Sequence, residues 1–146
     1  MPTISRFEEI EAWQTARELT NLVYAFTGQE KFARDFGLKD QIRRAAVSVM
    51  SNVAEGFESQ SQPTFGRYLH IAKASAAEVR SQLYVALDQA YITQDEFDQA
   101  FALAYKVLRQ IVRFLAYLET ASPYRQVRDD QPEYTIATPP TIQPDN

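Results

Sequence analysis

The sequence contains no cysteine and one histidine, His70. Without cysteine the chain has no disulfide, no cysteine-ligated zinc or iron–sulfur cluster, and no thiol nucleophile. With one histidine it has no multi-histidine metal site, and a serine triad would have to use that one imidazole. His70 lies among helical residues, where a lone histidine is typical of a surface position. We therefore expect a protein that is not an enzyme and that needs no metal or cofactor.

Long apolar runs are also missing. No window approaches the roughly 18 apolar residues of a membrane span, and the first residues do not resemble a signal peptide. Together with the absence of cysteine, this pattern predicts a cytoplasmic protein with no membrane partner. The net charge of −4 argues against a protein that wraps nucleic acid with its whole surface, but it leaves room for a local basic patch.

Glycine and proline are scarce in most of the chain. There are four glycines and seven prolines, and five of the prolines follow residue 122. This shift in composition predicts one helical domain over residues 1–122 and a Pro-rich tail over residues 123–146. We expect the tail to be disordered or to lie as an extended arm over a neighbouring subunit.

The apolar residues of the first part recur at helical spacing, which predicts an all-α fold. Pro63 suits the first turn of a helix, and Thr93 with Glu96 forms a capping-box pattern. The linker between the first two helices contains Phe32 and Phe36, which are expected to cover one end of the core. Because the later connections are short, the helices are predicted to form an antiparallel up-down four-helix bundle. The first three predicted helices are Glu8 to Thr27, Leu38 to Phe57 and Ser61 or Gln62 to Gln89, and the fourth follows Thr93.

The fourth predicted helix has more apolar surface than one seam requires. Besides its main face it carries a second row, formed by Leu103, Val107, Phe114 and Tyr117. A small bundle has no central helix that needs apolar residues around most of its circumference. We therefore expect a second subunit to cover this row, which predicts a homo-oligomer.

A row of polar side chains runs beside the apolar stripe of the second and third helices. If these helices pair antiparallel, facing residues have numbers that sum to roughly 120–123, so Arg44 faces Glu78 and Ser48 faces Ser75. Glu55 and Glu78 then lie several turns apart, too far for a shared acid and base. The expected role is a network that fixes helix register, with an Arg44–Glu78 ion pair, inside the bundle or at a subunit contact. Its members are Arg44, Ser48, Asn52, Glu55, Ser75 and Glu78.

Three basic residues share one face of the fourth helix. Between residues 99 and 118 the chain has Lys106, Arg109 and Arg113 and no acidic residue. This basic stripe is a candidate site for nucleic-acid phosphates, which it would bind without reading sequence. The other interpretation is a solvated face that complements the helix dipole. Three further candidates for phosphate contacts are Arg43, Lys73 and Arg80.

Residues 41–56, from Gln41 to Gly56, resemble the signature of the bacterial four-helix bundle proteins of ribosomal-RNA intervening sequences. The similarity extends to Phe7-x-x-Ile10-x-x-Trp13-x-x-Ala16, to Phe36-Gly37-Leu38 and to Phe65-x-x-Tyr68-Leu69-x-x-Ala72-x-x-Ser75-x-x-Glu78. Together these motifs cover most of residues 7–118.

This resemblance implies fold and assembly more than chemistry. The family includes the accessory variability protein of diversity-generating retroelements, a pentameric barrel that binds nucleic acid and partners a reverse transcriptase. The resemblance thus implies a ring, most simply a homopentamer, with RNA or DNA and a reverse transcriptase as partners. The function we expect is an oligomeric adaptor with a nucleic-acid-binding or protein-docking surface. The alternative is an accessory subunit of a retroelement reverse transcriptase.

Overall fold

The computed structural model describes residues 3–124, and within them the chain is helical with no strand. This confirms the all-α prediction. A 3-10 helix, Phe7–Glu9, precedes the α-helices. The α-helices are α1 Glu11–Thr27, α2 Glu30–Arg34, α3 Phe36–Glu58, α4 Gln62–Asp88 and α5 Gln94–Thr120. Most of the predicted tail, from residue 125 onwards, lies outside the described residues.

Local sequence signals set where the long helices begin. The side chain of Ser61 accepts a hydrogen bond from the backbone N–H of Thr64, and Pro63 occupies the first turn of α4. At the start of α5, Thr93 and Glu96 form both hydrogen bonds of a capping box, as predicted. These caps satisfy backbone donors that the first helical turn leaves without an acceptor.

The predicted linker between the first two long helices contains the short helix α2. Phe32 on α2 is fully buried and stacks on Tyr91 at 5.1 Å, so it covers the core as expected. Phe36 does not cover the core, because it is the first residue of α3 and is 71% exposed. Asp35 caps α3 at Leu38 and also accepts a hydrogen bond from the Tyr91 hydroxyl, which raises the pKa of that tyrosine. The expectation for Phe36 was therefore wrong.

Each of the four long helices packs against two others. α3 packs on α4, α4 on α5, and α1 lies against both α3 and α5. Higher-numbered residues of α3 contact lower-numbered residues of α4. Gly56 lies against Phe65, whereas Ser48 contacts Ser75. The two helices therefore run in opposite directions. The same holds for α4 and α5, where the Gln62 amide donates to the carbonyl of Leu118.

Gly56 allows α3 and α4 to approach closely. A Cβ atom at this position would lie 2.8 Å from Cδ1 of Phe65 and 2.8 Å from Cβ of Tyr68. The Cβ of Tyr68 is fixed to the α4 backbone, so the clash requires one helix to move. At Gly66, by contrast, an added Cβ would meet Leu115 at an ordinary 3.9 Å.

We expect Gly56→Ala and Gly66→Ala to change stability in opposite directions. Gly56→Ala should lower the free energy of unfolding by about 1–3 kcal/mol, because overpacking outweighs the helix propensity gained. Gly66→Ala should raise it by about 0.5–1 kcal/mol, since only the propensity changes. Urea unfolding followed by circular dichroism measures both. Equal effects at the two sites would mean that α3 and α4 are not held this closely.

The second apolar row of α5 is mostly covered within the chain. Val107 is fully buried and Phe114 nearly so, while Leu103 and Tyr117 are partly buried against the same core. The reason is that α5 packs against both α4 and α1, so more than one of its faces is covered within the chain. The prediction that a second subunit must cover this row was therefore wrong.

The first two residues of the predicted tail pack onto the helical domain. Pro123 is buried, and its carbonyl accepts a hydrogen bond from the backbone N–H of Ile4 at 2.9 Å. Tyr124 stacks on Phe57 with ring centroids 5.3 Å apart, and burial raises the pKa of its hydroxyl. The chain thus continues past the end of α5 along the contact between α3 and α4.

Candidate nucleic-acid interface

The three side chains of the basic stripe are exposed on one face of α5. The two ion pairs found within residues 3–124 are Arg6–Glu9 and Arg44–Asp40, and neither includes a stripe residue. Lys106, Arg109 and Arg113 therefore have no carboxylate within 4 Å in the described chain. Since α5 carries no acidic residue between positions 99 and 118, no neighbour one turn away neutralises them. The stripe is free to bind an external anion.

Tyr105 links the stripe to α4. Its ring is 45% exposed, with the guanidinium of Arg109 5.2 Å from the centroid and that of Arg80 5.7 Å from it. Both distances fall in the range of cation–π contacts. Arg80 and Arg109 are thus brought together from two helices. Tyr105 was not among the residues predicted from the sequence, although the α4–α5 pairing through the short turn near residue 91 places it opposite Arg80.

Arg80 also has an unsatisfied donor. Its Nε atom is buried, and in the described chain it has no hydrogen-bond partner. An arginine held on a tyrosine ring without a carboxylate keeps its charge uncompensated, which favours binding of an anion. Lys73 lies two turns before Arg80 on the same face of α4 and is half-buried. The structure therefore extends the basic surface from α5 onto α4.

Arg43, another sequence candidate, lies elsewhere. Its Nε donates to the hydroxyl of Thr27 at 2.7 Å, and its guanidinium lies 4.2 Å from the ring centroid of Tyr24. Both partners belong to α1. Arg43 therefore holds α1 and α3 together and is not part of the surface on α4 and α5.

The polar network between α3 and α4 is partly as predicted. The hydroxyls of Ser48 and Ser75 are 2.8 Å apart, which confirms the predicted register. Asn52 donates to both the carbonyl and the hydroxyl of Ser48. These hydrogen bonds fix one α3–α4 alignment, because a shift along either helix would separate the two serines.

The predicted Arg44–Glu78 ion pair does not form. Nε of Arg44 instead lies 2.8 Å from Oδ2 of Asp40, one turn earlier on α3, and this contact raises the pKa of Arg44. Arg44 and Glu78 do line the same shallow groove. However, the exposed Arg44 reaches Asp40 without crossing that groove, so the local pair forms instead. Glu55 and Glu78 are both exposed, and no acid–base pair is assembled from them.

We expect Glu78→Gln to leave stability almost unchanged. The carboxylate is exposed and has no ion-pair partner in the described chain, so its removal should change the free energy of unfolding by less than about 1 kcal/mol. A thermal melt at neutral pH checks this. A loss of about 3–5 kcal/mol would instead show that Glu78 belongs to a buried ion pair.

Within residues 3–124, no cluster of three or more metal-ligating side chains is present. In the same part of the chain, no helix is long and apolar enough to cross a membrane.

Comparison with known proteins identifies the family of this chain. The model of the 23S rRNA-intervening sequence proteins matches residues 8–113, which include α1 to α4 and most of α5. The chain belongs to this family. The match confirms the resemblance that residues 41–56 and the flanking motifs indicated. A search of curated proteins finds no match.

A solved structure shows the same fold. It is a crystal structure of a protein of unknown function from the S23 ribosomal protein family of Bacteroides thetaiotaomicron. The similarity has a TM-score of 0.66 at 21% sequence identity and covers 71% of this chain and 97% of the other. At this identity the likeness concerns the fold alone.

Proposed function

We propose that this intervening-sequence family protein is a cytoplasmic, non-enzymatic adaptor that binds nucleic acid through α5. The observation that supports this most is the unpaired basic stripe of Lys106, Arg109 and Arg113, extended onto α4 by Arg80. Three exposed cations on one helical face contact phosphates without reading bases. Protein docking on the same face is the competing outcome, and the binding experiment distinguishes the two.

The acidic net charge of −4 opposes binding at long range but not at contact. At physiological salt the Debye length is about 8 Å, so distant carboxylates are screened from a phosphate bound at the stripe. Four of the acidic residues fall in residues 81–98, and those on α5 lie at its beginning, whereas Arg113 lies near its end. The proposal therefore predicts binding that depends on the local surface and weakens as salt is added.

We further propose that the protomer is an antiparallel four-helix bundle that assembles into a homopentameric ring. Besides the family resemblance, exposed apolar side chains on α4 support assembly, because Ile71 and Val85 are each more than 40% exposed. They lie seven residues on either side of Glu78, on the face that borders the groove with α3. A neighbouring copy on this face would leave α5 free. In the ring, five stripes would act together, and avidity would strengthen weak contacts.

Light scattering coupled to size-exclusion chromatography tests the assembly. We expect a particle of five protomers, and Ile71→Lys with Val85→Lys should dissociate it. The same substitutions should leave the helical content of the protomer unchanged. A wild-type protein that elutes as a monomer at high concentration would contradict the ring.

Titration with labelled RNA and DNA tests the binding. We expect the wild-type protein to bind structured RNA and duplex DNA at low salt with little sequence preference. Absence of binding to either at low salt would overturn this proposal and favour protein docking on α5.

The family resemblance also supports a second candidate, an accessory subunit of a retroelement reverse transcriptase. This role predicts a reverse-transcriptase gene and a template–variable repeat pair beside the gene. A gene that stands alone, or one that lies inside a ribosomal RNA operon, would exclude it.

A further inference from the structure

A row of aromatic rings, exposed at its two ends and partly buried in the middle, lies along the contact between α4 and α5. Tyr84 on α4 is 51% exposed, and Tyr105 on α5 is 45% exposed. Phe101 lies one turn before Tyr105, and its ring is 5.6 Å from that of Tyr84. The row therefore continues from Tyr84 through Phe101 to Tyr105. Aromatic residues half-exposed at two neighbouring positions are not explained by the core.

We propose that this aromatic row, with Arg80 and Arg109, binds single-stranded nucleic acid by stacking bases on Tyr84 and holding phosphates with the two arginines. This inference rests on the proposed function and deepens it by naming the class of nucleic acid. Aromatic side chains beside cations are the common means of binding single strands without sequence preference. A duplex keeps its bases stacked inside and offers phosphates alone to such a surface.

The ring of Tyr84 packs against two aromatic rings of α5. It lies 4.9 Å from Phe97 and 5.6 Å from Phe101, and those two rings stack on each other at 5.2 Å. These contacts hold the tyrosine at the surface, so little side-chain freedom is lost when a base stacks on it. Tyr84 is thus a preformed platform.

The cations are placed next to the platform. Arg80 is one helical turn before Tyr84 on α4, and its guanidinium contacts Tyr105 together with that of Arg109. No carboxylate lies within 4 Å of either arginine in the described chain, and Nε of Arg80 lacks a partner there. A phosphate bound at Arg80 and Arg109 would therefore lie beside a base stacked on Tyr84.

The charges around the row also favour a single strand. Asp88 lies one turn beyond Tyr84 on α4, and Asp98 lies one turn before Phe101 on α5. The Tyr84 end of the row therefore carries carboxylates, while the Arg109 end carries cations. The two phosphate strands of a duplex laid along the row would meet those carboxylates. A single strand can place its phosphates at Arg80 and Arg109 and turn its bases towards Tyr84, which avoids the repulsion.

Fluorescence anisotropy with three labelled probes tests the inference: a short oligouridylate, the oligothymidylate of the same length, and a duplex of that length. We expect both single strands to bind the wild-type protein more tightly than the duplex does. Loss of one stacking ring should cost about tenfold or more in affinity for a single strand. We therefore expect this loss for Tyr84→Leu, with no change for the duplex. Tyr105→Leu should also weaken binding of single strands, because the ring of Tyr105 positions Arg80 and Arg109.

Two variants control for folding and for general surface effects. Tyr84→Phe keeps the ring and should bind single strands like the wild type. Tyr24→Leu changes a tyrosine that is 44% exposed on α1 and should also leave binding unchanged. Circular dichroism melts verify that each variant is folded.

The outcomes separate this inference from the function on which it rests. If wild-type protein binds single strands no better than duplex, and Tyr84→Leu and Tyr105→Leu bind like the wild type, the stacking proposal is wrong while the phosphate-binding function stands. If the wild-type protein binds none of the three probes at low salt, both are wrong.

Discussion

Phe65→Ala is expected to lower the free energy of unfolding by about 3–5 kcal/mol. Phe65 is fully buried, and its ring lies 5.3 Å from Phe114 on α5 and 6.0 Å from Phe57 on α3. It also fills the space opposite Gly56. Truncation therefore removes contacts to α3 and α5 at once and leaves a cavity that α3, α4 and α5 cannot close without moving.

Phe36→Ala is the matched control for this prediction. The same atoms are removed, but Phe36 is 71% exposed, and its contact is with the ammonium of Lys39 at 5.2 Å. Its cost should stay below about 1 kcal/mol. Chemical unfolding of both variants, followed by tyrosine or tryptophan fluorescence and circular dichroism, measures the difference. Equal costs at the two positions would contradict the packing described for α3, α4 and α5.

Reversal of the basic stripe is the second large expected effect. Lys106, Arg109 and Arg113 changed together to Glu should weaken binding of RNA or DNA by about 100-fold or more at low salt. The reason is that three attractive phosphate contacts become three repulsive ones. All three side chains are exposed, so the helical fold should be retained. Electrophoretic mobility shift and anisotropy titrations measure the change.

A second triple variant controls for the change in net charge that reversal of the basic stripe causes. Arg17, Lys31 and Arg34 are exposed cations on α1 and α2, and their change to Glu alters the net charge by the same amount. If binding depends on the local surface of α5, this variant should lose far less affinity than the stripe variant. Equal losses would show that the overall charge of the protein governs binding and that the stripe has no special role.

Much of the fold follows from short-range patterns. The caps at Ser61 and Thr93 need residues within one helical turn, so the sequence alone places the starts of α4 and α5. The Ser48–Ser75 contact follows from the short turn near residue 60, which sets the register of α3 against α4. One turn of known position fixes every facing pair along two helices.

Other features depend on which of several possible partners a side chain or a helix face contacts, and the sequence pattern does not show that choice. Arg44 had two carboxylates within reach of its face, and the nearer one, Asp40, forms the pair. The two apolar rows of α5 have the same pattern whether a subunit or another helix covers them, and here both α1 and α4 pack on α5 within the chain. Phe36 looks like a core residue by composition, yet its place as the first residue of α3 leaves it exposed.

Only part of the candidate site could be predicted from the sequence. The spacing of Lys106, Arg109 and Arg113 showed the stripe, because residues three and four apart share a helical face. Arg80 was selected for its charge, but its contact with Tyr105 requires the alignment of α4 with α5. The aromatic row crosses from one helix to the other, so no pattern within a single helix shows it.

The salt dependence of wild-type binding to a single-stranded RNA tests the central claim most directly. For single strands the logarithm of the binding constant falls against the logarithm of salt concentration by roughly 0.7 per phosphate neutralised. The three cations of the stripe therefore predict a slope of about −2 or steeper, and the ring would make it steeper still. Binding that does not change with salt, or no binding even at low salt, would contradict the claim that this face of α5 binds nucleic-acid phosphates.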